Sequence, residues 1–246
     1  MTCLHKQVNV FFKVPNYTFI ERFFYRNLCG CEHLKSSLYL HCITYKSFSV
    51  KNKSLEDHLR VLFNFNEIPQ DEEWSSLIKN ARLQSFKKNE VILKSNLRHS
   101  DVLFVAEGIL ASEFTAGEKT VIGRFFRPGN LCTNFDSLLH QTVSRYQIVS
   151  ITSCTVISMT ASDFREYYNN GISLGKILRN IVLEIIAEDI LITDVKLLYG
   201  KNEMIEFIRT HYPDIAQKVP FKYIAQFLGI TPESYSRILK QSHHNS

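Results

Sequence analysis

The pattern of hydrophobic and polar positions divides the chain into regions of different character. Residues 1–53 show neither a sustained helical nor a sustained strand period. From Ser54, a candidate helix N-cap, leucines recur at helical spacing, and a second short helix is expected after Pro69. Between residues 83 and 160, short runs rich in β-branched residues alternate with turn residues. The pattern therefore predicts a helical lead-in followed by a β-rich domain.

Closely spaced strands are predicted in the β-rich region, and this spacing is typical of a sandwich or jelly-roll. Turn pairs such as Glu107-Gly108 and Pro128-Gly129 separate the strands. A short helix is expected to begin at Ser162 and to end at Asn170-Gly171. The predicted strands span residues 83–86, 91–93, 102–106, 109–115, 119–126, 142–150 and 154–160.

The next segment has the strongest helical period in the chain. A helix of this length, about 35 to 40 Å at about 1.5 Å per residue, extends beyond a small domain. Its apolar stripe fits either a core helix of one subunit or contact with a second copy of the chain, and its position before a small helical tail favours the second. The stripe consists of Leu174, Ile177, Leu178, Ile181, Ile185, Ile192, Val195 and Leu198.

The C-terminal segment has the start and stop signals of a helix-turn-helix. Helices are predicted over 201–211, 221–228 and 231–241. Gly229 permits a positive φ after the second of these helices, while Thr231-Pro232 suits the cap and first position of the third. The sequence therefore predicts two short helices joined by a tight turn.

The polar residues of the last helix suit the major groove of DNA. Tyr235, Ile238 and Leu239 are expected to face the core, which leaves the polar residues outside. Arg237 can form a bidentate pair with guanine, and Glu233 can accept a hydrogen bond from cytosine. A solvated helix face is the ordinary alternative for such charges. The predicted DNA-binding residues are Thr231, Glu233, Ser234, Ser236, Arg237 and Lys240.

Composition and net charge add little to this prediction. The 246 residues are 45% hydrophobic and 22% charged, which is ordinary for a folded soluble chain. The net charge is +5, but residues 1–53 carry eight basic and two acidic residues, so the remainder is slightly acidic. We find no candidate membrane span and no secretory signal, and we expect the protein in the cytoplasm.

The residues that would mark an enzyme or a metal site do not form a known pattern. Cys3, Cys29, Cys31 and Cys42 match no common zinc or iron–sulfur spacing, so no metal site is predicted. The β-region lacks the clustered histidines of a cupin, and no Gly-x-Ser-x-Gly motif or phosphate-cradling glycine loop occurs. We therefore expect no enzymatic activity.

Residues 219–238, with the phrase Leu-Gly-Ile-Thr-Pro-Glu, resemble the helix-turn-helix of the Crp/Fnr family of bacterial transcription regulators. The resemblance extends to its β-roll through residues 86–93 and 103–108, and covers about residues 54–242. It implies an α+β fold with a jelly-roll or β-roll sensor, a long dimerisation helix and a C-terminal winged-helix-like helix-turn-helix. The domains implied are an N-terminal extension of unknown role (1–53), the cyclic-nucleotide-binding-like sensor (54–170), the dimerisation helix (171–199) and the DNA-binding domain (200–246).

The same resemblance implies a homodimer that presents two recognition helices, about 34 Å apart, to a near-palindromic site in double-stranded DNA. It also implies RNA polymerase as a further partner. In cyclic-nucleotide-binding members a Gly-Glu pair and an arginine hold the ligand, whereas here Thr133 and Asn134 occupy the place of the pair and Arg145 is offset by one position. These three residues are the candidate effector pocket. We do not expect cyclic AMP as the effector, whose identity stays open.

Two alternatives remain open from the sequence. One is a cyclic-nucleotide-binding-like ligand module without DNA regulation, in which the C-terminal helices only close the dimer. The other is a redox- or metal-sensing regulator that uses the N-terminal cysteines.

Overall fold

The computed structural model describes residues 54–63, 71–117 and 119–244. Helix α1 (Leu55–Leu62) begins at Ser54, as predicted, with a capping box: the Ser54 hydroxyl accepts a hydrogen bond from Asp57 N at 3.1 Å, and the Asp57 carboxylate accepts one from Ser54 N at 3.0 Å. Helix α2 (Glu72–Asn80) is capped by the Asp71 side chain, which accepts from Trp74 N at 3.0 Å. The helical lead-in is therefore confirmed.

Two four-stranded antiparallel sheets follow, within the described residues. Sheet 1 has the strand order β1-β8-β3-β6, and sheet 2 has the order β2-β7-β4-β5. This two-sheet arrangement confirms the predicted jelly-roll. The strands are β1 (Arg82–Phe86), β2 (Val91–Leu93), β3 (Asp101–Glu107), β4 (Leu110–Ala116), β5 (Lys119–Phe126), β6 (Leu131–Cys132), β7 (Gln147–Ser150) and β8 (Cys154–Thr160).

The segment between β5 and β7 differs from the sequence prediction. Helix α3 (Phe135–His140) follows β6, and the strand predicted over 142–150 begins only at Gln147. The reason is local hydrogen bonding: Asn134 Oδ1 accepts from Ser137 N at 2.9 Å, which starts the helix, and Gln141 adopts a positive φ of 55° after it. Strand propensity in this stretch is therefore overridden by polar side chains that bond the backbone.

Each sheet packs against the other on its inner face and against helices on its outer face. Leu103 and Val105 of β3 point between the sheets, whereas Val102 and Phe104 point toward the helices. This alternation follows from the two-residue period of a strand. The outer face of sheet 2 packs against the C-terminal helices through residues such as Phe125. The sheets therefore form a scaffold with helices attached to both outer faces.

The C-terminal part consists of helices. Helix α4 (Ala161–Asn170) is capped by Thr160, whose hydroxyl accepts from Asp163 N at 3.1 Å, so it begins earlier than the predicted Ser162. None of the described helices combines the length and hydrophobicity needed to cross a membrane. No strand is described between residues 200 and 244. The remaining helices are α5 (Ser173–Leu198), α6 (Lys201–His211), α7 (Pro213–Lys218), α8 (Phe221–Leu228) and α9 (Pro232–His244), of which α7 was not predicted.

The long helix α5 has no side-chain cap of its own, and Glu73 of α2 supplies one. The Glu73 carboxylate accepts hydrogen bonds from Leu174 N at 2.9 Å, from Ile172 N, and from the Ser173 hydroxyl at 3.1 Å. These bonds, led by the one from Ile172 N, hold the pKa of Glu73 below its usual value of 4.5. A negative charge here also complements the helix dipole. The lead-in helix thus fixes the start of α5.

We expect Glu73→Gln to destabilise the protein by about 1 kcal/mol in urea unfolding near neutral pH, because it removes the charged cap. The folded-state pKa of Glu73 is lowered, so its contribution is present above about pH 4.5 and is lost as the pH falls through the lowered pKa. The difference between the variant and the original chain should therefore shrink on acidification. Glu72→Gln, the same change on the adjacent exposed residue, should cost far less; equal effects of the two changes would contradict this role for Glu73.

Candidate DNA-binding interface and sensor loop

The turn between α8 and α9 has the geometry that the sequence predicts. Gly229 adopts a φ of +69°, which glycine reaches without steric cost. Ile230 N donates to Ala225 O at 3.0 Å and Gly229 N donates to Gln226 O at 3.3 Å, so these carbonyls at the end of α8 are satisfied. A Cβ on Gly229 would meet no atom within 4 Å. Backbone conformation, and not lack of space, therefore favours glycine here.

Buried side chains hold α9 against α8. Tyr235 and Ile238 are 1% and 7% exposed, and Ala225 of α8 is fully buried. The rings of Tyr235 and Phe221 lie 5.3 Å apart. These residues confirm the core face predicted for the last helix. The opposite face of α9 must therefore point away from the domain.

That outward face carries the charged residues singled out from the sequence. Glu233, Arg237 and Lys240 are exposed and recur at i, i+4 and i+7, which places them on one side of the helix. Ser234 and Ser236 are half-buried. The structure thus brings a carboxylate, a guanidinium and an ammonium group together on one accessible face. Such a face can offer both hydrogen-bond donors and an acceptor to a ligand surface.

Thr231 already has a structural role at the start of α9. Its hydroxyl oxygen accepts a hydrogen bond from Ser234 N at 3.2 Å and lies 3.2 Å from the Ser234 hydroxyl. This is the predicted N-cap. The side chain is exposed, so it lies at the edge of the same outward surface.

The apolar residues that α5 leaves exposed lie mostly outside the predicted stripe, of which Leu198 is exposed, at 62%. Much of that stripe packs within the subunit: Leu174, Leu178, Ile185 and Val195 are all at most 6% exposed. A second set on the same helix is accessible instead, with Leu183 at 39%, Ile186 at 50%, Ile190 at 44% and Leu197 at 76% exposure. We refer to this second set as the apolar seam. The apolar seam could have been found from the sequence, because its members follow one another at intervals of three, four and seven residues.

The loop that leads into α3 is closed by its own hydrogen bonds. Asn134 is 1% exposed, and its amide nitrogen donates to the Ser144 hydroxyl. Thr133 is 2% exposed, and its hydroxyl donates to Asp101 O at 3.3 Å. The structure therefore brings Thr133 and Asn134 into one buried loop, with Ser144 as the partner of Asn134. Arg145, the next residue, is exposed.

Aromatic side chains fill the space beside this loop. The Tyr146 hydroxyl donates to Thr133 O at 3.0 Å, and the Tyr146 ring lies 4.9 Å from the Phe114 ring. Phe114 in turn covers Gly123, where a Cβ would lie 2.6 Å from the ring. The loop, the aromatic pair and the glycine therefore form one packed unit.

The cysteines of the described region are buried thiols. Burial raises the pKa of both Cys132 and Cys154, which disfavours the thiolate that redox chemistry and metal binding require. No group of three His, Cys, Asp or Glu side chains that could hold a metal occurs among the described residues. The early cysteines Cys3, Cys29, Cys31 and Cys42 lie outside that part of the chain.

Comparison with known proteins identifies the class of the β-rich region. Residues 83–170 match the family model of the cyclic nucleotide-binding domain. This range runs from β1 to the end of α4 and includes both sheets. The β-rich part of the chain is therefore a domain of this class. No curated protein sequence is significantly similar to the chain.

Solved structures of transcription regulators share the larger arrangement. FixK2 from Bradyrhizobium japonicum is 19% identical with a TM-score of 0.55, over 67% of this chain and 85% of that one. A regulator of the Crp/Fnr family from Eubacterium rectale is 12% identical with a TM-score of 0.58, over 72% and 85%. One from Thermus thermophilus is 17% identical with a TM-score of 0.53, over 67% and 87%. At these identities the comparisons show the fold: this chain has the fold of the Crp/Fnr transcription regulators, as its sequence motifs predicted.

Proposed function

We propose that the protein is a homodimeric, sequence-specific DNA-binding transcription regulator of the Crp/Fnr type. The observation that carries the proposal is the exposed face of α9, where Glu233, Arg237 and Lys240 project from a helix anchored by buried residues after a tight turn. A recognition helix needs these same properties: a rigid base and an accessible polar face. The fold shared with solved transcription regulators supports the proposal.

The residues on the exposed face of α9 have different proposed roles in DNA binding. Arg237 reads guanine through two parallel hydrogen bonds, and Glu233 accepts from the amino group of cytosine. Lys240 is a compact charge at the same face and pairs with phosphate, which positions the helix without reading sequence. Thr231, Ser234 and Ser236, at the edge of the surface, add hydroxyl contacts to the backbone of the duplex.

The apolar seam supports dimerisation through α5. Its spacing of three, four and seven residues is that of the inner positions of a coiled coil, and a second copy of the helix would cover it. Thr193 fills the one inner position that lacks a large apolar residue, and its hydroxyl donates to Asp189 O on its own helix at 2.7 Å. This hydroxyl therefore needs no partner across the interface. Two-fold symmetry would then present two α9 helices to adjacent grooves.

For the sensor, we propose that Thr133, Asn134 and Arg145 mark the effector pocket and that the effector is not cyclic AMP. Asn134 hydrogen-bonds Ser144 and starts α3, so its polar atoms are already in use. A cyclic nucleotide would have to displace these bonds without a carboxylate to accept from its ribose, which leaves polar groups unpaired. Among these three residues Arg145 carries the positive charge, and because it is exposed, an anionic effector can reach it.

The remaining roles follow from this assignment. Such a protein has no catalytic task, acts on DNA in the cytoplasm and has RNA polymerase as a further partner. The alternative of a ligand module without DNA regulation predicts no specific duplex and no steep salt dependence.

Selection from a pool of random duplexes with the purified full-length protein tests the proposal. We expect enrichment of two inverted half-sites whose centres lie about 10 base pairs, or a multiple of that, apart. Failure to enrich any sequence, with folded protein in the assay, would overturn the proposed function. Addition of cyclic AMP should leave the enriched sequence and the affinity unchanged.

A further inference from the structure

A charged cluster joins the sensor domain to the long helix. Arg124 of β5 donates hydrogen bonds to the carboxylates of Glu188 and Asp189 and, at 3.4 Å, to Ile185 O, all on α5. The Arg124 side chain is only 14% exposed, and Glu188 is 22% exposed. Arg124 and Glu188 therefore meet in a largely desolvated place, where each depends strongly on the other, whereas Asp189 is 61% exposed.

Arg127, just after β5, extends the cluster to the helix-turn-helix domain. It donates to the other carboxylate oxygen of Glu188 at 3.2 Å and lies 3.7 Å from the Asp214 carboxylate of α7. Its guanidinium also lies 4.7 Å from the centre of the Tyr212 ring. We refer to Arg124, Arg127, Glu188, Asp189 and Asp214 as the charged clamp. Glu188 is its centre, because its two oxygens serve both arginines.

Apolar contacts surround the clamp. The rings of Phe125 on β5 and Phe227 on α8 lie 5.2 Å apart. Ile208 and Ile215, from α6 and α7, are buried in the same cluster as residues of sheet 2. The sensor, the long helix and the DNA-binding domain thus meet at one junction. Hydrophobic contact alone is non-directional, whereas forked hydrogen bonds from two arginines fix an orientation.

We propose that the charged clamp consists of positioning residues that fix the orientation of the helix-turn-helix domain relative to α5. Because α5 carries the apolar seam, this orientation also sets the separation of the two recognition helices in a dimer. The clamp thereby determines which half-site spacing the protein accepts. The effect on half-site spacing rests on the proposed function. The effect on the orientation of the helix-turn-helix domain in the free protein does not.

Hydrogen exchange of the free, full-length protein tests the clamp without DNA. Glu188→Gln removes the central charge and should speed exchange of the amides of α7 and α8 about tenfold, because the docked domain opens more often. Amides of β3 and β8 should keep their protection, because these strands lie in sheet 1, whereas Arg124 lies in sheet 2. Glu206→Gln makes the same charge change at the exposed ion pair with Arg209 and should leave both sets unchanged. Unchanged exchange in Glu188→Gln would overturn the proposal.

A second variant distinguishes a positioning role from a general loss of folding. Arg127→Lys keeps the charge, but an ammonium group cannot bridge Glu188 and Asp214 as the guanidinium fork does. We expect about threefold faster exchange of the same α7 and α8 amides. Wild-type exchange in this variant, or loss of protection spread evenly over β3 and β8, would contradict a positioning role.

Half-site spacing supplies a readout that a purely stabilising role would not change. On the selected duplex and on duplexes with one base pair added or removed between half-sites, Glu188→Gln should reduce the preference for the original spacing about tenfold. Its base preference within each half-site should persist, since α9 is untouched. An unchanged spacing preference would overturn the consequence for DNA. If the original protein selects no duplex, the proposed function fails, and hydrogen exchange alone decides on the clamp.

Discussion

Replacing Ile186 and Ile190 together with aspartate should convert the protein to a monomer and weaken its binding to the selected duplex by at least about a hundredfold. Both residues lie in the apolar seam of α5 and are about half exposed in the single chain, at 50% and 44%. In a symmetric dimer each aspartate would lose water and face the partner's aspartates. The burial cost and the like-charge repulsion both oppose association.

The measurements are the molar mass by light scattering and the duplex affinity by titration, both at micromolar protein. Leu97→Asp together with Leu139→Asp is the matched control, because these leucines of the β-rich domain are also exposed, at 51% and 66%. This control introduces two aspartates at other exposed positions, and its molar mass should remain that of a dimer. A double seam variant that stays dimeric would show that the seam is not the interface.

Replacing Arg237 with alanine should cost about 1 to 3 kcal/mol of binding free energy at a single base pair of each half-site and relax the preference there. Arg237 is exposed on α9 and projects from the same face as Glu233. The loss is confined to one position because a bidentate guanidinium contact reads one base. Competition between duplexes that differ at one position measures it.

Lys240→Ala is the informative comparison for Arg237→Ala. Both changes remove one exposed positive charge from α9. The lysine change should weaken all duplexes about equally and reduce the salt slope by about one, since it contacts phosphate. If Arg237→Ala instead behaved like Lys240→Ala, base readout by Arg237 would be refuted.

Elements with strong local signals were predictable from the sequence. The N-cap at Ser54, the boundaries of α6 and α8 and the positive φ of Gly229 all follow from short-range chemistry. Strands β2, β5 and β8 have the predicted bounds because their apolar runs are bordered by turn residues. The buried face of α9 followed from its helical period.

Features set by long-range packing were not predictable in the same way. The stripe that includes Leu178 and Ile185 was predicted to be the dimer face, yet most of it packs within the subunit, since hydrophobic spacing does not say which partner covers a face. The pairing of Arg124 and Arg127 with Glu188 joins residues more than sixty positions apart, and one sequence carries no signal for it. The DNA contacts and the effector pocket stay predictions.

Sequence-specific DNA binding is tested most directly by the affinity of the full-length protein for its selected duplex and for a scrambled duplex of the same length and composition, across a range of salt concentrations. We expect binding to the selected duplex about a thousandfold tighter or more, with the logarithm of both affinities falling linearly with the logarithm of salt concentration. Equal affinities for the two duplexes at every salt concentration would contradict sequence-specific DNA binding.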